Sequence, residues 1–463
     1  MDKKKTWVTI LGAGISGLAA AHWLNKAGYD VKILEANSEP GGAMITSKEE
    51  GFLIDYGPNS GLETTPLISQ LAEEVGIKDK MIYANEEADK RYILRGGKLH
   101  ELPTGGPAFF KTKLFSPKAK LRLMAEPFIG KSEDGYYQSM SEFVTRRLGK
   151  EFLDYAINPF VSGVFAGDPD KLSVKSAFPK LYRLEELYGG LIKGMIRGAR
   201  ERKRSKEESK QSAKMFSFID GMQTFPQAIA NKLHDKIVYN SKVEKVEKNE
   251  SGYSIYYNVD GITNELKSDI VLSTIPAYIT SKIFESIDPK LGSHLNEIYY
   301  PKVMLLYLGF RKSDIGRPLD GFGYLIPTLE KRKLLGAIWS STIFPNRADE
   351  DYASFTIFVG GAQAAHLFDM DKSELINIVI DEFKDIMTTK YDPVFIKDMV
   401  WEKAIPQYNV GYIEHERYCD EFEKNNPGIF LSGNYRGGIS VGDCVKNSDL
   451  VFKKIDEFVE KNN

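Results

Sequence analysis

The sequence is poor in the residues that build disulfide frameworks and metal sites. It contains two cysteines, Cys419 and Cys444, and six histidines among 463 residues. Two cysteines cannot form a disulfide scaffold, and the histidines show neither an HExxH spacing nor a spacing with cysteine that is typical of zinc ligands. We therefore expect no metal site, and the low cysteine content fits a reducing cytosol.

Long apolar runs and charge of one sign are also scarce. No run of about 18 uncharged apolar residues is present that could span a bilayer. Only Met1 to Lys5 precede the first predicted strand, which leaves no room for a signal peptide. The formal net charge of -2 gives no global reason to bind nucleic acid. We expect a cytoplasmic protein that has, at most, peripheral contact with a membrane.

Two local segments combine many cations. The run "RGARERKRSKEESK" at 197–210 follows an apolar helix, and because no aromatic platform accompanies it, we interpret it as a solvated helix end. The segment "AFFKTKLFSPKAKLRLMAEPF" at 108–128 interleaves Phe and Leu with Lys and Arg. That composition is typical of a segment that rests on anionic lipid, so we expect peripheral membrane contact there.

The chain opens with a glycine-punctuated turn, "TWVTILGAGISGLAAAHWLNKAGYDVKILEA". The apolar run Trp7–Leu11 predicts a buried strand, and an Ala- and Leu-rich helix follows the turn. In a dinucleotide-binding turn the first glycine permits the bend, the second admits a pyrophosphate, and the third allows helix and strand to pack closely. The predicted cofactor contacts of this turn are Gly12, Ala13, Gly14, Ile15, Ser16 and Gly17.

The second predicted strand, "VKIL", ends at Glu35 and Ala36. A carboxylate at this position can accept hydrogen bonds from both ribose hydroxyls, which a 2'-phosphate would forbid. We therefore expect Glu35 and Ala36 to contact the adenosine end of the cofactor. His22 is interpreted as a packing or surface residue of the first helix.

Three further glycine-rich segments favour FAD over NAD, because an extended cofactor needs distributed contacts. They are "ANSEPGGAMITS", "GFLIDYGPNSG" and, near the C-terminus, "GIFLSGNYRGGISVGDCVKNSDLVFKKIDEFVEK", which reads as strand, glycine turn and amphipathic helix. The start of that last helix offers backbone donors to an anionic group. The predicted contacts are Gly41, Gly42, Ala43, Gly57, Pro58, Asn59, Ser60, Gly433, Asn434, Ile439, Ser440 and Val441.

With these features the sequence resembles the flavin-dependent amine oxidase and phytoene desaturase superfamily. Within it, the segments "KRYILRGGKLHELP", "NPFVSGVFAGDPDKLSVKSAFPKLYRLEELYGGLIKGMI", "GAIWSSTIFPNRA" and "IPQYNVGY" are similar to the oxygen-dependent, FAD-containing protoporphyrinogen oxidase family of the haem pathway. The resemblance covers nearly the whole chain, and these inner segments are more specific than the opening turn.

The resemblance implies an α/β fold with a Rossmann-like FAD-binding domain of the amine oxidase type, a mixed-sheet substrate domain and a helical, membrane-associating insertion. The expected division is FAD-binding domain at 1–75, 211–285 and 401–463, substrate domain at 76–95 and 286–400, and helical insertion at 96–210. Strands are predicted at Lys236 to Val246, Tyr253 to Val259 and Ile270 to Ile275, with an alternating block from Val303 to Gly361.

The resemblance also implies the residues of the substrate site. Arg91 corresponds to an arginine that pairs with a propionate, although the nearby Arg95 stays an alternative partner. Gly163 corresponds to a glycine that lets a macrocycle lie against backbone, and Leu325, Ile338 and Phe358 to apolar positions that sandwich its rings. Val243 and Trp401 are expected to contact FAD. No residue is assigned as a general acid or base.

Two positions depart from relatives within that superfamily. Ala43 stands where many relatives carry arginine, so one phosphate contact is either missing or supplied elsewhere. Some amine oxidases link FAD through a cysteine near their C-terminus, but Cys444 lies in "VGDCVKN" as a buried helix residue would, and we favour non-covalent FAD.

The activity that the resemblance implies is oxidation of protoporphyrinogen by oxygen, with FAD as hydride acceptor and peroxide as by-product. Coproporphyrinogen oxidation, an amine oxidase or carotenoid desaturase, and a flavin-free prenyl-protein escort stay open as alternatives. The expected partners are a porphyrinogen and oxygen, with no nucleic acid. A homodimer is compatible with this interpretation, and the sequence leaves the oligomeric state open.

Overall fold

A computed structural model describes residues 3–133, 135–197 and 213–462 of the chain. The basic run predicted at 197–210 therefore lies, beyond Arg197, outside the described residues. The described α-helices are Ile15–Lys26, Pro66–Glu74, Gly106–Lys111, Pro117–Met124, Met140–Arg147, Lys150–Phe152, Asn158–Phe165, Val174–Ala177, Pro179–Tyr188, Thr224–Lys232, Ala277–Ile283, Pro289–Asn296, Ser340–Ile343, Lys372–Met387, Tyr412–Asn425 and Val441–Lys461.

The described strands form a parallel sheet, a mixed sheet and three small sheets. The parallel sheet contains Trp7–Leu11, Asp30–Leu34, Ile237–Val238, Ile270–Ser273 and Ile429–Leu431. The mixed sheet contains Lys90–Arg95, Lys98–Glu101, Val303–Arg311, Gly321–Leu325, Leu334–Ile338, Tyr352–Gly360 and Phe395–Trp401. The small sheets contain Lys242–Lys248, Tyr253–Val259 and Ile262–Ser268; Thr46–Glu49 and Phe52–Asp55; and Gly61–Leu62, Met81–Tyr83 and Met215–Phe218.

The parallel sheet confirms the predicted opening strand, Trp7–Leu11, which lies at its centre. This strand pairs on one side with Asp30–Leu34 and on the other with Ile270–Ser273. Its residues from Val8 onward are fully buried because helices cover the sheet, and a parallel strand buried on both faces reads as a continuous apolar run. The first helix packs against the C-terminal helix, Val441–Lys461, so the two ends of the chain share one core.

The strand predicted at Lys236 to Val246 is interrupted. Asn240 has a positive φ of 52°, a backbone conformation that an extended strand cannot contain. Its amide N–H donates to the carbonyl oxygen of Asn37. The first piece, Ile237–Val238, joins the parallel sheet, and the second, Lys242–Lys248, joins a three-stranded antiparallel sheet. The prediction of one continuous strand was therefore wrong.

The mixed sheet has two chemically different faces. Its outer face packs against the helix Lys372–Met387 in a core that includes Phe310, Phe355 and Phe383. We call the opposite side the site face. Cross-strand pairing places the following side chains on it: Arg91, Ile93, Leu305, Leu325, Ile338, Phe358 and Met399. The boundary expected between residues 95 and 96 falls inside the hairpin of Lys90–Arg95 and Lys98–Glu101.

Two buried arginines tie the parts of the molecule together. Arg347 Nη2 lies 3.1 Å from Asp55 Oδ2, with both side chains 2% exposed, and this pair joins the mixed sheet to the segment before the Gly57 turn. Within the helical segment, Arg147 pairs with Glu126 and Glu185. Burial would raise the pKa of Glu185, but hydrogen bonds from Arg146 and Arg147 outweigh it and lower that pKa.

The helices of the segment 96–197 are short. Across the described residues, no helix has both the length and the apolar character that crossing a bilayer requires.

Candidate active site

The first glycine turn has the geometry of a phosphate-binding turn. Gly12 has a φ of +98°, and its N–H donates to the carbonyl oxygen of Leu34 at 2.8 Å. A Cβ atom on Gly17 would overlap the carbonyl oxygen of Gly12, so the helix can approach the turn this closely only without a side chain. A Cβ atom on Gly14 would meet no atom within 4 Å. The space next to Gly14 is therefore open to a ligand.

Glu35 lies at the end of the second strand and is 5% exposed. Its Oε2 accepts the N–H of Ala13 at 2.7 Å, and its Oε1 accepts the backbone N–H and the side-chain amide of Asn37 at 2.9 and 2.8 Å. A carboxylate has about four acceptor positions. At least one stays available to a ribose hydroxyl, and the exposed Ala36 follows directly.

The paired glycines meet the first turn directly. The N–H of Gly41 donates to the carbonyl oxygen of Ala13 at 2.9 Å, and a Cβ atom on Gly42 would lie 3.3 Å from Gly14 Cα. Ala43 is exposed, and its carbonyl oxygen occupies the position that a Cβ atom on Gly57 would need. Two predicted cofactor loops therefore converge on Gly14.

The turn that contains Gly57, Pro58, Asn59 and Ser60 lies between the first turn and the site face. Trp401, at the end of a mixed-sheet strand, donates its Nε1–H to the carbonyl oxygen of Tyr56 at 2.7 Å. Ser217 donates to the carbonyl oxygen of Asn59 at 3.3 Å. All four turn residues are partly exposed. The predicted contact Trp401 thus fixes this turn to the mixed sheet.

The C-terminal glycine turn joins the same region. Gly433 has a φ of +116°, and a Cβ atom on it would lie 3.1 Å from the carbonyl oxygen of Thr274. Ser440 caps the C-terminal helix, accepting the N–H of Asp443 at 3.1 Å. Further along this helix, Ser448 donates to the carbonyl oxygen of Ser16 at 2.8 Å. Ile15, Asn434, Ile439 and Val441 flank these contacts in the chain.

Val243 lies close in the chain to a backbone contact with Glu35. Ser241, two residues earlier, donates its backbone N–H to the carbonyl oxygen of Glu35 at 2.8 Å. The strand of Val243 contains a bulge between Val243 and Lys245, and Val243 itself is partly exposed.

The predicted substrate residues share the site face. Leu325, Ile338 and Phe358 come from three strands, and each is partly exposed, whereas Tyr324, Ala337 and Ile357 beside them are buried. An apolar side chain that stays open within a buried sheet indicates an apolar binding surface. Gly163, on the helix Asn158–Phe165, opposes this surface, and a Cβ atom on it would overlap Leu325 Cδ2. Gly163 therefore borders this surface in direct contact with Leu325. We call the surface formed by Leu325, Ile338 and Phe358 the apolar patch.

Arg91 and Arg95 point to the same side of their strand but differ in their partners. Arg95 Nη1 lies 2.7 Å from Glu151 Oε1, it also donates to the carbonyl oxygen of Leu114, and the guanidinium lies 4.1 Å from the Tyr155 ring centroid. Arg91 is exposed and lies 5.5 Å from the Phe322 ring centroid. It has no carboxylate partner within the part of the chain that the structure describes. Arg91 is therefore the cation available to a ligand.

A family model for flavin containing amine oxidoreductases matches residues 15–448. The chain belongs to the flavin-containing amine oxidoreductases. It is 33% identical to protoporphyrinogen oxidase 2, chloroplastic/mitochondrial, of Arabidopsis thaliana, over 97% of this chain and 94% of that protein. It is 28% identical to coproporphyrinogen III oxidase of Bacillus subtilis, over 96% of this chain and 97% of that protein.

Among solved structures, a candidate protoporphyrinogen oxidase from Exiguobacterium sp. 255-15 superposes with a TM-score of 0.81 at 22% identity, covering 98% of this chain and 99% of that chain. This likeness confirms the α/β fold with a mixed sheet that the sequence predicts. As a flavin-containing amine oxidoreductase, the protein is an FAD-dependent oxidoreductase. The alternative of a flavin-free prenyl-protein escort is therefore wrong.

The residues of this oxidoreductase fit FAD. The open space beside Gly14 would admit the pyrophosphate, Glu35 would offer an acceptor to the ribose, and the Gly57 turn is joined to the mixed sheet through Trp401. Bound FAD would thus be held at its adenosine end by the first turn and Glu35.

Two residues with a role in this arrangement escaped the sequence analysis. Thr274 donates to the carbonyl oxygen of Leu11 at 2.8 Å while its own backbone contacts Gly433, so it joins the N-terminal and C-terminal turns. Tyr408 donates to the carbonyl oxygen of Asn434 at 2.8 Å and accepts the N–H of Gly438 at 2.9 Å. Burial raises the pKa of Tyr408 well above its usual range, which keeps it neutral. Tyr408 lies in the segment "IPQYNVGY", so the resemblance of this segment to a known family was the signal that could have identified it.

Cys444 lies in the first turn of the C-terminal helix and is 5% exposed within the core of the parallel sheet. Burial raises the pKa of its thiol to about 11, so the reactive thiolate is scarce at neutral pH.

His22 Nε2 lies 2.7 Å from Glu74 Oε2 and packs the first helix against Pro66–Glu74.

Proposed function

We propose that this enzyme oxidises protoporphyrinogen IX to protoporphyrin IX with oxygen and releases hydrogen peroxide, as a step of haem biosynthesis. The observation that carries the proposal is the apolar patch: three partly exposed apolar side chains come from separate strands, and Arg91, which no carboxylate of the described residues contacts, lies on the same face. The name of the Arabidopsis relative supports the same substrate.

The apolar patch matches the chemistry of a porphyrinogen. The macrocycle is apolar and broad, so Leu325, Ile338 and Phe358 would bury one face of it, and Phe358 would add an aromatic contact of about 0.5–1.5 kcal/mol beyond burial. The Arg91 guanidinium would bind a propionate, because its fork matches the two oxygens of a carboxylate. Gly163 borders the patch at Leu325, so the edge of the macrocycle would reach helix backbone there.

Bound FAD supplies a two-electron acceptor, which no side chain can provide. The residues of this chain hold the macrocycle in place and keep water from its buried face. Three two-electron oxidations remove six hydrogens from the porphyrinogen and reduce three oxygen molecules to hydrogen peroxide. We assign no side chain as general acid or base, and we expect no single substitution on the site face to abolish the chemistry outright.

The second candidate is coproporphyrinogen III, which carries four propionates. The 28% identity to the Bacillus subtilis coproporphyrinogen III oxidase favours it. The two porphyrinogens are compared side by side, with the fluorescence of the oxidised porphyrin as readout. A higher kcat/KM for protoporphyrinogen IX supports the proposal, and a higher value for coproporphyrinogen III replaces it. An amine oxidase or carotenoid desaturase would produce no porphyrin fluorescence from either.

We also propose that the enzyme is cytoplasmic and rests on the membrane through residues 108–128. Phe128 is 90% exposed, and Phe110, Leu121 and Met124 are each more than half exposed. The exposed cations among them are Lys111, Lys113 and Lys118. Apolar side chains flanked by cations favour the interface of an anionic bilayer.

Flotation with vesicles of phosphatidylglycerol and phosphatidylcholine tests this membrane contact at low salt. The wild type is expected to float, and Phe128→Ser combined with Leu121→Ser is expected to reduce flotation, whereas Tyr391→Ser, at an exposed position remote in sequence, serves as the control. Absence of wild-type flotation would refute the membrane proposal.

Sedimentation velocity distinguishes a monomer from the homodimer that the sequence leaves open.

A further inference from the structure

Two stacked tyrosines contact the backbone of the C-terminal glycine turn. Tyr408 and Tyr412 are 4% and 2% exposed, and their ring centroids lie 4.3 Å apart. Tyr408 donates its hydroxyl to the carbonyl oxygen of Asn434 at 2.8 Å, and Tyr412 donates its own to the carbonyl oxygen of Tyr435. We call Tyr408 and Tyr412 the tyrosine pair.

Tyr408 also spans the turn. Its hydroxyl oxygen accepts the N–H of Gly438 at 2.9 Å, so one atom contacts both Asn434 and Gly438. A third side chain acts between these two residues, since Asn447 on the C-terminal helix donates its Nδ2–H to the carbonyl oxygen of Arg436 at 2.7 Å. Three consecutive carbonyl oxygens of the turn therefore accept hydrogen bonds from side chains that lie outside it.

The glycines of the turn explain why such contacts are needed. Gly437 and Gly438 have φ values of +77° and +135°, and a Cβ atom on Gly438 would overlap the Asp443 side chain. Glycine loses more conformational freedom on ordering than any other residue. A turn left unordered would bear that entropic cost when it binds a ligand, and contacts that order the turn remove the cost from binding.

Fixing the carbonyl groups also fixes the direction of the N–H groups. In a planar trans peptide unit, the carbonyl oxygen and the following N–H point in opposite directions. The carbonyl oxygens of Asn434 and Arg436 point toward Tyr408 and Asn447, so the N–H group that follows each of them points away from these side chains. The orientation of the backbone donors in the turn is thus set by the protein's own side chains.

The loop that carries Tyr408 is itself held by the helical segment. The carbonyl oxygen of Tyr408 accepts the N–H of Ser173 at 2.8 Å, and the N–H of Val410 donates to the carbonyl oxygen of Lys171 at 2.8 Å. Burial raises the pKa of both members of the tyrosine pair well above the usual range. Their hydroxyls therefore stay protonated and remain donors at neutral pH.

We propose that the tyrosine pair holds the C-terminal glycine turn in one conformation and thereby determines how tightly the protein retains FAD. Tyr408 and Tyr412 are positioning residues, which act through the backbone of the turn rather than by touching the cofactor. The inference rests on the predicted FAD contacts Gly433 and Asn434. It goes beyond the proposed function, because it holds for any substrate.

The Kd for FAD is measured by ultrafiltration of the diluted holoenzyme and the fluorescence of the released FAD. Tyr408→Phe keeps the stacked ring but removes the hydroxyl and its two hydrogen bonds, so the Kd should rise by about tenfold. Tyr412→Phe removes one hydrogen bond and should raise the Kd by about threefold. Because both residues order one turn, the double variant should exceed Tyr408→Phe by less than about threefold. Effects that simply multiply would refute joint action of the pair.

Tyr253→Phe is the matched control. Tyr253 is 4% exposed, and its hydroxyl donates to the carbonyl oxygen of Pro427 at 2.7 Å, so this variant also loses a buried hydrogen bond to backbone. It should lower the melting temperature about as much as Tyr412→Phe does while leaving the Kd for FAD unchanged. If Tyr253→Phe raises the Kd as much as Tyr408→Phe, the effect is general destabilisation and the inference fails.

Hydrogen exchange of the holoenzyme at saturating FAD, followed by mass spectrometry, locates the effect in the chain. Peptides that cover Arg436 and Gly438, whose N–H groups donate within the protein, should exchange faster in Tyr408→Phe than in the wild type. Exchange in the neighbouring strand Ile429–Leu431 should stay unchanged. Equal exchange of the turn in the variant and the wild type would refute the positioning role.

None of these measurements uses a porphyrinogen, so the two proposals fail separately. A wild type that oxidises neither porphyrinogen refutes the proposed function, and weaker retention of FAD by Tyr408→Phe would still support the role of the tyrosine pair. Unchanged FAD affinity in both Tyr408→Phe and Tyr412→Phe refutes the inference about the pair and leaves the proposed function standing.

Discussion

A Cβ atom on Gly163 would overlap the Cδ2 methyl group of Leu325, so the helix and the site face approach each other as closely as a glycine allows. We predict that Gly163→Ala lowers kcat/KM for protoporphyrinogen IX, because overpacking costs about 1–3 kcal/mol and displaces Leu325 within the apolar patch. Steady-state kinetics with porphyrin fluorescence measures the effect.

The reason for this loss can be checked by removing the opposing methyl groups. Leu325→Ala in the Gly163→Ala background makes room for the new Cβ atom, so the double variant should recover part of the activity that Gly163→Ala loses. Gly130→Ala is the control, because a Cβ atom there meets no atom within 4 Å. A double variant that is no more active than Gly163→Ala would show that contact with Leu325 is not the cause.

Arg91 and Arg95 should respond differently to substitution. Arg91→Ala is expected to lower kcat/KM by roughly tenfold to a hundredfold, since a hydrogen bond to a charged group contributes about 1.5–3 kcal/mol. Its melting temperature should stay unchanged because Arg91 is exposed. Arg91→Lys should retain part of the activity, since a lysine keeps the charge without the fork.

Arg95→Ala is the matched comparison on the same strand. Arg95 pairs with Glu151, which also accepts the N–H of Ser116 at 2.8 Å, so its loss should lower the melting temperature. A larger loss of substrate affinity in Arg95→Ala than in Arg91→Ala, at equal stability, would assign the propionate to Arg95 instead.

The sequence contains local signals for the cofactor end of the site but few for the substrate end. Gly12, Gly14 and Gly17 act through backbone geometry within one turn, so their spacing predicts their positions. Leu325, Ile338 and Phe358 meet through strand registers between distant segments, which periodicity does not specify. They could be named only through the resemblance to a known family.

Long-range hydrogen bonds left no pattern in the sequence. Thr274 makes a hydrogen bond to Leu11, and Asn158 makes one to Thr328. Both bonds join residues that are far apart in the chain. The break at Asn240 was missed for a similar reason. Its positive φ coincides with a contact to Asn37, whereas the flanking residues by themselves favour an extended strand.

Glu35 should determine how tightly FAD is retained. Glu35→Gln replaces one acceptor oxygen by an amide donor that cannot accept from Ala13 or Asn37, and it weakens the contact with the ribose. Loss of charge-assisted hydrogen bonds of about 1.5–3 kcal/mol predicts a Kd for FAD that is roughly tenfold to a hundredfold higher. The flavin absorbance per protein and fluorescence titration of the apoprotein measure this.

Glu39→Gln is the control for Glu35, since Glu39 is an exposed carboxylate in the same loop. It should retain FAD as the wild type does, apart from a small change in net charge. Equal FAD affinity of Glu35→Gln and Glu39→Gln would contradict the assignment of Glu35 to the ribose.

The contact between the first helix and the helix Pro66–Glu74 should make stability depend on pH. Glu74 Oε1 lies 2.7 Å from Lys26 Nζ, and Glu74 Oε2 lies 2.7 Å from His22 Nε2. Burial would raise the pKa of Glu74, but the hydrogen bonds from Lys26, Gln70 and His22 outweigh it and lower that pKa from 4.5 to about 2. The unfolded chain therefore binds this proton more tightly than the folded protein does.

It follows that Glu74 stabilises the fold fully above about pH 4.5 and that this stabilisation is lost as the pH falls toward about 2. Glu74→Gln should lower the free energy of unfolding by about 0.5–1 kcal/mol near neutral pH, a modest amount because Lys26 is exposed. The difference from the wild type should shrink when urea unfolding is repeated at about pH 3.5. Glu73→Gln, at the neighbouring exposed position, should show no such pH dependence, and a constant difference at both pH values would refute the role of the Glu74 carboxylate.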